Sequence, residues 1–475
     1  MSSVRRSHVV TVFLQCLAAV LVMLLLTLPA CAEDGGETEY IVKYRESGVR
    51  LMKSGGSASF QVVSRDELEI LLAEDRLEWY EPDGTAYLLD PLPDTGAAAL
   101  QGTISPWYAD DMWHLDMIAA ETAYELDAAG EGVRVAVIDS GANPHEDLEG
   151  RLENGWNYLK NNAKTGDSNG HGTAVCGLIA GSGENGMVGT APKATIIPLK
   201  CFEGSTTQVS AVCQAIWAAV DDYGCDVINM SLGVVDDSIA LREAVAHAAE
   251  NGVIMTAAAG NGGTRVKYYP ASYDEVIGVG NVDSDGIVYQ TSNHNESVFI
   301  TAPGAEVTSL GLLGGYNAFT GCSFSTPLVT GAVADLLGLE PDLGLEEISA
   351  ILSSTAADKG KTGWDEYYGW GILNLRGCIL TLVQEPDFLL TAPRTGDGRL
   401  YTFAVNHTGE DTACLLITAQ YDGNGRQRSV SIESCLLPAQ GRETLTLPED
   451  GCKVFLCGED LRPLAPALEV PSGSE

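Results

Sequence analysis

Four polar side chains of this sequence lie at the ends of apolar segments, where they could do chemistry. Asp139 directly follows a β-branched run at residues 133–138, and His171 stands between two glycines just before a helical stretch. Ser323 lies at the entrance of a long helical stretch, and Asn261 follows another short apolar run. A hydroxyl, an imidazole, a carboxylate and an amide supply the nucleophile, base, orienting acid and oxyanion donor of acyl transfer.

Each of these residues also has an ordinary structural explanation. An acid at a strand end can cap a helix or bind a ribose, and a single His is usually structural. A Ser at a helix entrance is a common N-cap, and an Asn before glycines is common in turns. The four are more informative together, because Ser323 lies where free backbone N–H groups and the helix dipole stabilise a developing oxyanion. The amide of Asn261 could donate to the same oxygen.

The elements around these residues predict how the side chains meet. Between residues 107 and 380, helical stretches alternate with short β-branched strands at 133–138, 194–199, 227–230, 253–257 and 276–279. Continuous apolar strands that alternate with helices are typical of a parallel sheet covered on both faces. Because loops at the carboxyl ends of such strands carry function, the sequence predicts an α/β fold with the four side chains at one edge.

Two smaller regions flank this α/β region. Residues 39–90 predict a small α/β module with a helix at 65–75, followed by a linker rich in Pro, Gly and Ala. Residues 388–461 alternate with period two between glycine-containing turns, which predicts a small antiparallel β-sandwich. The chain therefore divides into segments 1–32, 33–104, 105–382, 383–465 and an untethered tail at 466–475.

The N-terminal segment 1–32 predicts export. Arg5 and Arg6 precede the apolar run at residues 9–28, and Ala30-Cys31-Ala32 fits a small-residue cleavage site. The same position resembles a lipoprotein box with Cys31 as the lipid anchor, and a run of about 20 residues is also long enough to remain a membrane anchor. We expect a secreted or cell-envelope protein that contacts a membrane only through this segment.

Charge and cysteine content exclude some classes of ligand. The net charge of −38, from 65 acidic against 27 basic residues, argues against binding to nucleic acid and to anionic lipid surfaces. The cysteines beyond segment 1–32 contain no Cys-x-x-Cys pair, so nothing indicates a zinc site. We expect buried free thiols, with Cys452–Cys457 and Cys414–Cys435 as candidate bridges.

Residues 105–380 resemble the catalytic domain of the subtilisin-like serine proteases, the subtilase family, in which the catalytic triad also runs Asp, His, Ser along the chain. The motifs that carry the resemblance occur in family order: Val137-Ile138-Asp139-Ser140-Gly141, Gly170-His171-Gly172-Thr173, Gly189-Thr190-Ala191-Pro192, residues 226–233, residues 258–261 and Tyr269-Pro270-Ala271. The nucleophile motif departs from the family's Gly-Thr-Ser-Met-Ala-x-Pro, with Cys322, Phe324 and Ser325 at the variable positions. These side chains crowd Ser323, so we expect them to alter rate or specificity.

The resemblance implies a subtilisin-like three-layer fold and a serine endopeptidase that needs no cofactor for its chemistry. Ser323 would attack the peptide carbonyl, His171 would transfer the proton, and Asp139 would orient the imidazole. Asn261 and the Ser323 N–H would stabilise the oxyanion. The N-terminal module would be an inhibitory propeptide, cut away within the linker 91–104, so the implied partners are protein or peptide substrates and the chain's own propeptide.

The resemblance also assigns substrate-binding and metal-binding positions. Ser231, Leu232 and Gly233 match the strand that pairs with extended substrate and walls the P1 pocket. Tyr268 matches the base of that pocket, which favours small or medium P1 side chains. Asp147 matches a ligand of a structural calcium ion, although its companion loop is altered.

Three alternatives have weaker support. A catalytically inactive family member could act as a binding or scaffold protein at the cell surface, but all three triad residues are present. Cys322, next to Ser323, could serve instead as a thiol nucleophile. A nucleotide-binding α/β protein would need a Gly-x-Gly-x-x-Gly after the first strand of the sheet, and the sequence has none there.

Overall fold

The computed structural model describes most of the chain beyond its N-terminal segment. The described residues are 38–45, 60–89, 112–183, 186–384, 386–391, 394–396, 399–421, 426–439, 441–448 and 451–470. The predicted export signal in segment 1–32 and the predicted linker 91–104 lie outside these residues.

The N-terminal region forms a small antiparallel sheet covered by a helix. Its elements are β1 (Glu39–Tyr44), β2 (Gln61–Ser64), α1 (Arg65–Ala73), β3 (Leu77–Pro82) and β4 (Thr85–Leu88). β1 is the middle strand and pairs with β2 and β3. A capping box formed by Ser64 and Glu67 starts α1, and Leu68 and Leu71 pack against the sheet. β4 is not part of this sheet and pairs with strands of the middle region.

The middle region is built on a seven-stranded parallel sheet. Its strands, with the shorter ones around them, are β5 (Arg134–Asp139), β6 (Trp156–Asn157), β7 (Thr195–Lys200), β8 (Thr206–Gln208), β9 (Val227–Met230), β10 (Leu232–Val234), β11 (Ile254–Ala258), β12 (Val276–Val282), β13 (Ile300–Pro303), β14 (Val307–Leu310) and β15 (Tyr316–Phe319). The large sheet has the order β13-β12-β11-β9-β5-β7-β6, and its neighbouring strands run parallel.

Helices cover both faces of this sheet. They are α2 (Trp113–Met117), α3 (Glu121–Glu125), α4 (His171–Ala180), α5 (Val209–Asp221), α6 (Ile239–Glu250), α7 (Cys322–Leu339), α8 (Leu345–Thr355) and α9 (Leu375–Leu380). In β5, Val135 and Val137 share a buried cluster with α4 and α7, whereas Ala136 and Ile138 share another with α5 and α6. Successive residues of the strand therefore face opposite helical layers. The predicted α/β class with a mainly parallel sheet is confirmed.

Helix α7 runs through the interior of this region. Within the part of the chain that the structure describes, it is the helix with the length and apolar character to cross a membrane, and 89% of it is buried inside the fold. Its apolar sequence is therefore explained by packing in the core.

The C-terminal region forms two antiparallel sheets. Its strands are β16 (Phe388–Leu390), β17 (Arg394–Gly396), β18 (Arg399–Asn406), β19 (Thr412–Tyr421), β20 (Gln427–Leu437), β21 (Gly441–Leu447), β22 (Cys452–Gly458) and β23 (Leu468–Val470). One sheet contains β16, β17, β18 and β21, and the other has the order β20-β19-β22-β23. Leu445 of the first sheet shares a buried cluster with Leu416 and Val454 of the second, as a sandwich requires.

The end of the chain departs from the expectation. β23 pairs with β22, with Val454 opposite Leu468 and Cys452 opposite Val470. The prediction of an untethered tail from residue 466 is therefore wrong for residues 468–470. The segment is too short to show a clear strand period, and its pairing depends on a strand edge that the sequence does not display.

Candidate active site

Asp139 and His171 form a direct, buried pair. Asp139 is the last residue of β5 and His171 is the first of α4, so the carboxyl end of a central strand faces the start of a helix. His171 Nδ1 lies 2.8 Å and 2.9 Å from the two carboxylate oxygens of Asp139, and the Ser140 N–H donates to the same carboxylate. Because the carboxylate accepts from Nδ1, that nitrogen carries the proton and the Nε2 lone pair can act as a base.

A second carboxylate, Asp167, holds the loop that carries His171. It is buried and accepts hydrogen bonds from two side chains and from the backbone. The donors are the hydroxyls of Ser140 and Thr173 and the backbone N–H groups of Asn169, Gly170 and Thr173. Sequence reasoning missed Asp167; its only signal was an acid shortly before His171, which is weak without knowledge of the loop.

Lys200 supports the same edge of the sheet from β7. It lies opposite Asp139 in the strand register, and its Nζ donates to the carbonyl oxygens of Ser140 (2.6 Å) and Gly166 (3.0 Å). Burial lowers the pKa of the Lys200 ammonium group. Sequence reasoning did not single out this residue, because a Lys inside a strand usually points to solvent.

Glycine is required immediately before His171. Gly170 is the N-cap of α4 and has a φ of 96°, a left-handed conformation that side chains disfavour. The glycine lets the loop turn sharply, so that the imidazole of the next residue reaches Asp139.

Ser323 is the second residue of α7, and two hydrogen bonds tie it to the end of β9. Its Oγ donates to the carbonyl oxygen of Ser231 (3.3 Å), and the Ser231 hydroxyl donates to the carbonyl oxygen of Ser323 (2.8 Å). The neighbouring Phe324 ring lies 5.2 Å from the imidazole of His171. The structure thus brings Asp139, His171 and the start of α7 to one site.

Asn261 has a fixed side-chain orientation. Its Oδ1 accepts a hydrogen bond from the Cys322 N–H at 2.9 Å, so its Nδ2 must face the other way. That Nδ2 donates to the carbonyl oxygen of Leu89 at 3.2 Å. Leu89 directly follows β4, so a backbone carbonyl from the N-terminal region lies beside the start of α7.

β4 lies between two strands of the middle region. It pairs antiparallel with β10, where Leu88 is opposite Leu232 and Tyr87 is opposite Gly233, and with β8 on its other side. The predicted substrate-pairing residues Leu232 and Gly233 thus bind an extended segment of the chain itself. This insertion could not be predicted from the sequence, because it joins segments that are far apart along the chain.

Gly233 leaves room for two side chains. A Cβ at this position would lie 2.7 Å from Tyr268 Cδ1 and 3.0 Å from Leu89 Cδ2. The close approach excludes a larger residue, so the ring of Tyr268 and the side chain of Leu89 meet against this stretch of β10.

Two carboxylates of the N-terminal region cap helices of the middle region. Glu81 accepts from the Ser238 hydroxyl and from the N–H groups of Ile239 and Ala240, at 2.7–2.9 Å, at the start of α6. Asp83 accepts from the N–H and hydroxyl of Ser210 near the start of α5. Both acids satisfy donors that a helix leaves open at its N-terminus. Burial raises the pKa of Asp83 to about 6.

Asp147 does not have the surroundings of the expected calcium ligand. Its carboxylate is buried and accepts from the hydroxyl of Tyr316 at 2.7 Å and from the Met187 N–H at 3.3 Å. Burial raises the pKa of Tyr316, so its hydroxyl stays a donor. Among the described residues, no group of three or more His, Cys, Asp or Glu side chains could hold a metal ion. Two protein donors therefore contact the Asp147 carboxylate at the position where the resemblance implies a cation.

Comparisons with known proteins agree with this geometry. A family model described as the subtilase family matches residues 130–371. Subtilisin DY of Bacillus licheniformis is 35% identical over 272 residues, which cover 56% of this chain and 97% of that protein. An alkaline protease of Alkalihalobacillus alcalophilus is 31% identical over 363 residues, covering 73% of this chain and 92% of that protein.

A further relative is the minor extracellular protease Epr of Bacillus subtilis (strain 168), 31% identical over 271 residues, which cover 56% of this chain and 41% of that protein. The family model spans half of the chain, and the match to subtilisin DY spans nearly all of that relative. The chain therefore belongs to the subtilase family and is a serine endopeptidase.

Proposed function

We propose that this protein is an exported zymogen that hydrolyses peptide bonds through an acyl-enzyme on Ser323. His171 takes the proton of the Ser323 hydroxyl as that oxygen attacks the peptide carbonyl, and it returns the proton to the leaving amine. Asp139 keeps the proton on Nδ1 and stabilises the imidazolium that forms. The 2.8 Å contact between Asp139 and His171 supports these two roles.

The oxyanion is stabilised by donors on both sides of the attacked carbonyl. Asn261 supplies its Nδ2, which the Cys322 N–H holds in the donating orientation. The N–H of Ser323 supplies the second donor, at the start of α7 where the helix dipole is positive. A single donor of this kind contributes about 3–4 kcal/mol to the stability of the transition state.

The N-terminal module acts as an intramolecular inhibitor of this site. The observation that carries this proposal is the hydrogen bond from Asn261 to the carbonyl oxygen of Leu89, made while β4 pairs with β10. A segment bound in this way blocks other substrates and presents its own peptide bond. We therefore assign the first cut to the bond between Leu89 and Asp90, just before the linker 91–104 in which the sequence places it.

Contacts away from the cleft support a specific docking of this module. Glu81 and Asp83 cap α6 and α5, and Lys43 lies 3.0 Å from Glu243 on α6. The indole of Trp79 also donates to Glu243. These contacts hold β4 in register with the cleft, so that Leu89 rather than a neighbour lies at Asn261.

The same pocket should select substrates in other proteins. The side chain of Leu89 lies beside Gly233 and the ring of Tyr268, so a residue of medium size is already accommodated there. A charged side chain there would lose its hydration without a partner. We therefore assign to the P1 position a preference for medium apolar residues such as Leu.

Export is the proposed setting of the enzyme. The apolar segment at residues 9–28 after Arg5 and Arg6, and the similarity to an extracellular protease, support this assignment. Release by cleavage near residue 32 and lipid attachment at Cys31 both lead to an extracellular active site, and N-terminal sequencing of the exported protein separates them.

Self-cleavage of residues 33–475 tests the proposed function. The wild-type chain should yield a product that begins at Asp90, whereas the Ser323→Ala variant should remain intact and fail to label with a fluorophosphonate. Leu89→Arg should slow the first cut by at least about tenfold, because placing its charge beside Gly233 and the Tyr268 ring costs hydration. Tyr87→Arg is the matched control, since Tyr87 is on the same strand but is 40% exposed.

Two other outcomes of this experiment would contradict the proposed mechanism. A folded wild-type chain that neither cuts itself nor labels with the fluorophosphonate would support the inactive, scaffold-type alternative. Cleavage that continues at full rate in Ser323→Ala would instead implicate Cys322 as the nucleophile.

A further inference from the structure

Two cysteines of the C-terminal region lie directly opposite each other on neighbouring strands. Cys414 of β19 is the register partner of Cys435 of β20, and their sulfur atoms are 2.9 Å apart. Residues opposite each other in an antiparallel pair have Cα atoms about 4.5–5.5 Å apart, which lies inside the range that a disulfide spans. A bond length of about 2.05 Å requires only a small rotation of the two side chains.

The other candidate bridge is excluded by the strand geometry. Cys452 and Cys457 lie on the same strand, β22, at its first and its sixth residue. An odd separation puts their side chains on opposite faces, and an extended strand sets their Cα atoms about 16 Å apart. This distance is far beyond the reach of a disulfide, so the prediction of a Cys452–Cys457 bridge is wrong.

The strand that carries Cys435 is an exposed edge strand, which a covalent bond to its neighbour would hold in the sheet. β20 is one of the two edge strands of its sheet and pairs there with β19. Residues 427–434 of this strand are exposed, including the apolar side chains of Val430 and Ile432. An exposed, extended edge strand is the conformation in which a polypeptide adds to another strand or enters a protease cleft.

We propose that Cys414 and Cys435 form a disulfide in the exported protein and so fix β20 to its sheet. The bond forms by exchange with a small disulfide, such as oxidised glutathione, as the oxidant. Cys435 attacks that disulfide, forms a mixed disulfide and releases one thiol. Cys414 then attacks the Cys435 sulfur and releases the second thiol, so two thiol protons and two electrons pass to the oxidant.

The order of these steps follows from exposure. Cys414 is 1% exposed, and burial raises the pKa of its thiol to about 12, so it is a poor first nucleophile. Cys435 is only partly buried and can meet the oxidant from solvent. The oxidising setting rests on the proposed export, whereas the juxtaposition of the two sulfur atoms does not.

Thiol counting on the full-length Ser323→Ala chain tests this inference without interference from self-digestion. After incubation with oxidised glutathione, the denatured protein should bind two fewer alkylating groups than a fully reduced sample. Peptide mapping by mass spectrometry should find one cross-linked peptide that joins Cys414 to Cys435. The difference should disappear in a variant that adds Cys414→Ser and Cys435→Ser, and persist in the matched control Cys452→Ser/Cys457→Ser.

Proteolysis supplies a second readout. Wild-type enzyme added to the Ser323→Ala chain should cut within residues 427–437 several-fold faster after reduction of the substrate chain than before it. Equal alkylation with and without reduction, or a cross-link that joins other cysteines, would overturn the assignment. The peptide map uses the parent Ser323→Ala chain, so it decides the question even if a serine variant fails to fold.

Discussion

The side-chain amide of Asn261 donates to the carbonyl oxygen of Leu89 across 3.2 Å. The two residues are far apart in sequence, and one belongs to the segment that the proposed mechanism removes. Since Asn261 Oδ1 is occupied by the Cys322 N–H, the donor orientation is set before any substrate binds. In the proposed mechanism the contact links inhibition and catalysis through one amide.

Replacement of Asn261 by Ala should reduce kcat by about a hundred- to a thousandfold and leave KM nearly unchanged, because the lost donor acts on the oxyanion rather than on the bound substrate. Steady-state kinetics on a peptide with Leu at P1 measures both constants. Asn251→Ala, at the exposed end of α6, serves as the control and should retain wild-type kcat. A large rise in KM with unchanged kcat would contradict the oxyanion role.

Asp83 should make docking of the N-terminal module depend on pH. Burial holds its pKa at about 6 in the docked chain, against 3.8 in the exposed group, with Glu39 and Glu81 adding to the rise. A raised pKa means that the docked state binds the proton more tightly. The contribution of protonated Asp83 to the stability of the docked state is complete below about pH 4. It is lost as the pH rises through about 6, and the free energy lost is at most about 3 kcal/mol.

The measurement for Asp83 is thermal unfolding of the Ser323→Ala chain between pH 4 and 8. Asp83→Asn should flatten the fall in melting temperature between pH 4 and 6, while Asp75→Asn on the exposed side of the same module should not. Identical pH profiles for the parent and Asp83→Asn would show that this carboxylate stays ionised on docking.

Tyr316 should take over the stabilising role expected of a calcium ion at Asp147. Tyr316→Phe removes the donor at 2.7 Å and leaves a buried carboxylate oxygen poorly satisfied, so the protein should lose about 1–3 kcal/mol of stability. A chelator such as EDTA should leave the melting temperature of the parent unchanged. Tyr367→Phe, at a 45% exposed tyrosine, is the control. A fall of several degrees on chelation would mean that a bound metal stabilises the protein.

Asp335 should destabilise the protein increasingly as the pH rises. It is fully buried in α7, its carboxyl oxygens have no hydrogen-bond partner among the described residues, and burial raises its pKa well above the ordinary value. The unfolded chain ionises this group near pH 4 while the folded chain keeps it protonated. Stability therefore falls as the pH rises above about 4, until the folded group ionises as well.

The Asp335→Asn variant checks this effect. It should raise the melting temperature at pH 8 by more than at pH 5, whereas Asp342→Asn, at an exposed position after the same helix, should change neither value. A variant that is less stable than the parent at pH 8 would indicate that the carboxylate has a stabilising partner.

Local signals in the sequence were sufficient for the α/β class and for the candidate catalytic residues. Asp139, His171, Ser323 and Asn261 each lie in a short motif at an element boundary, and strand and helix periods are properties of a few consecutive residues. The strands predicted at 133–138 and 253–257 coincide closely with β5 and β11 for this reason.

Tertiary structure decided the contacts between distant segments. The position of Leu89 at Asn261, the contact of Asp147 with the Tyr316 hydroxyl, and the pairing of Cys414 with Cys435 all depend on strand register and packing. The role of Asp167 as a hydrogen-bond acceptor for Ser140 and the His171 loop likewise exists only in the folded chain. Such contacts leave no local period, because the free energy that selects them comes from burial and pairing of surfaces that meet only in the folded chain.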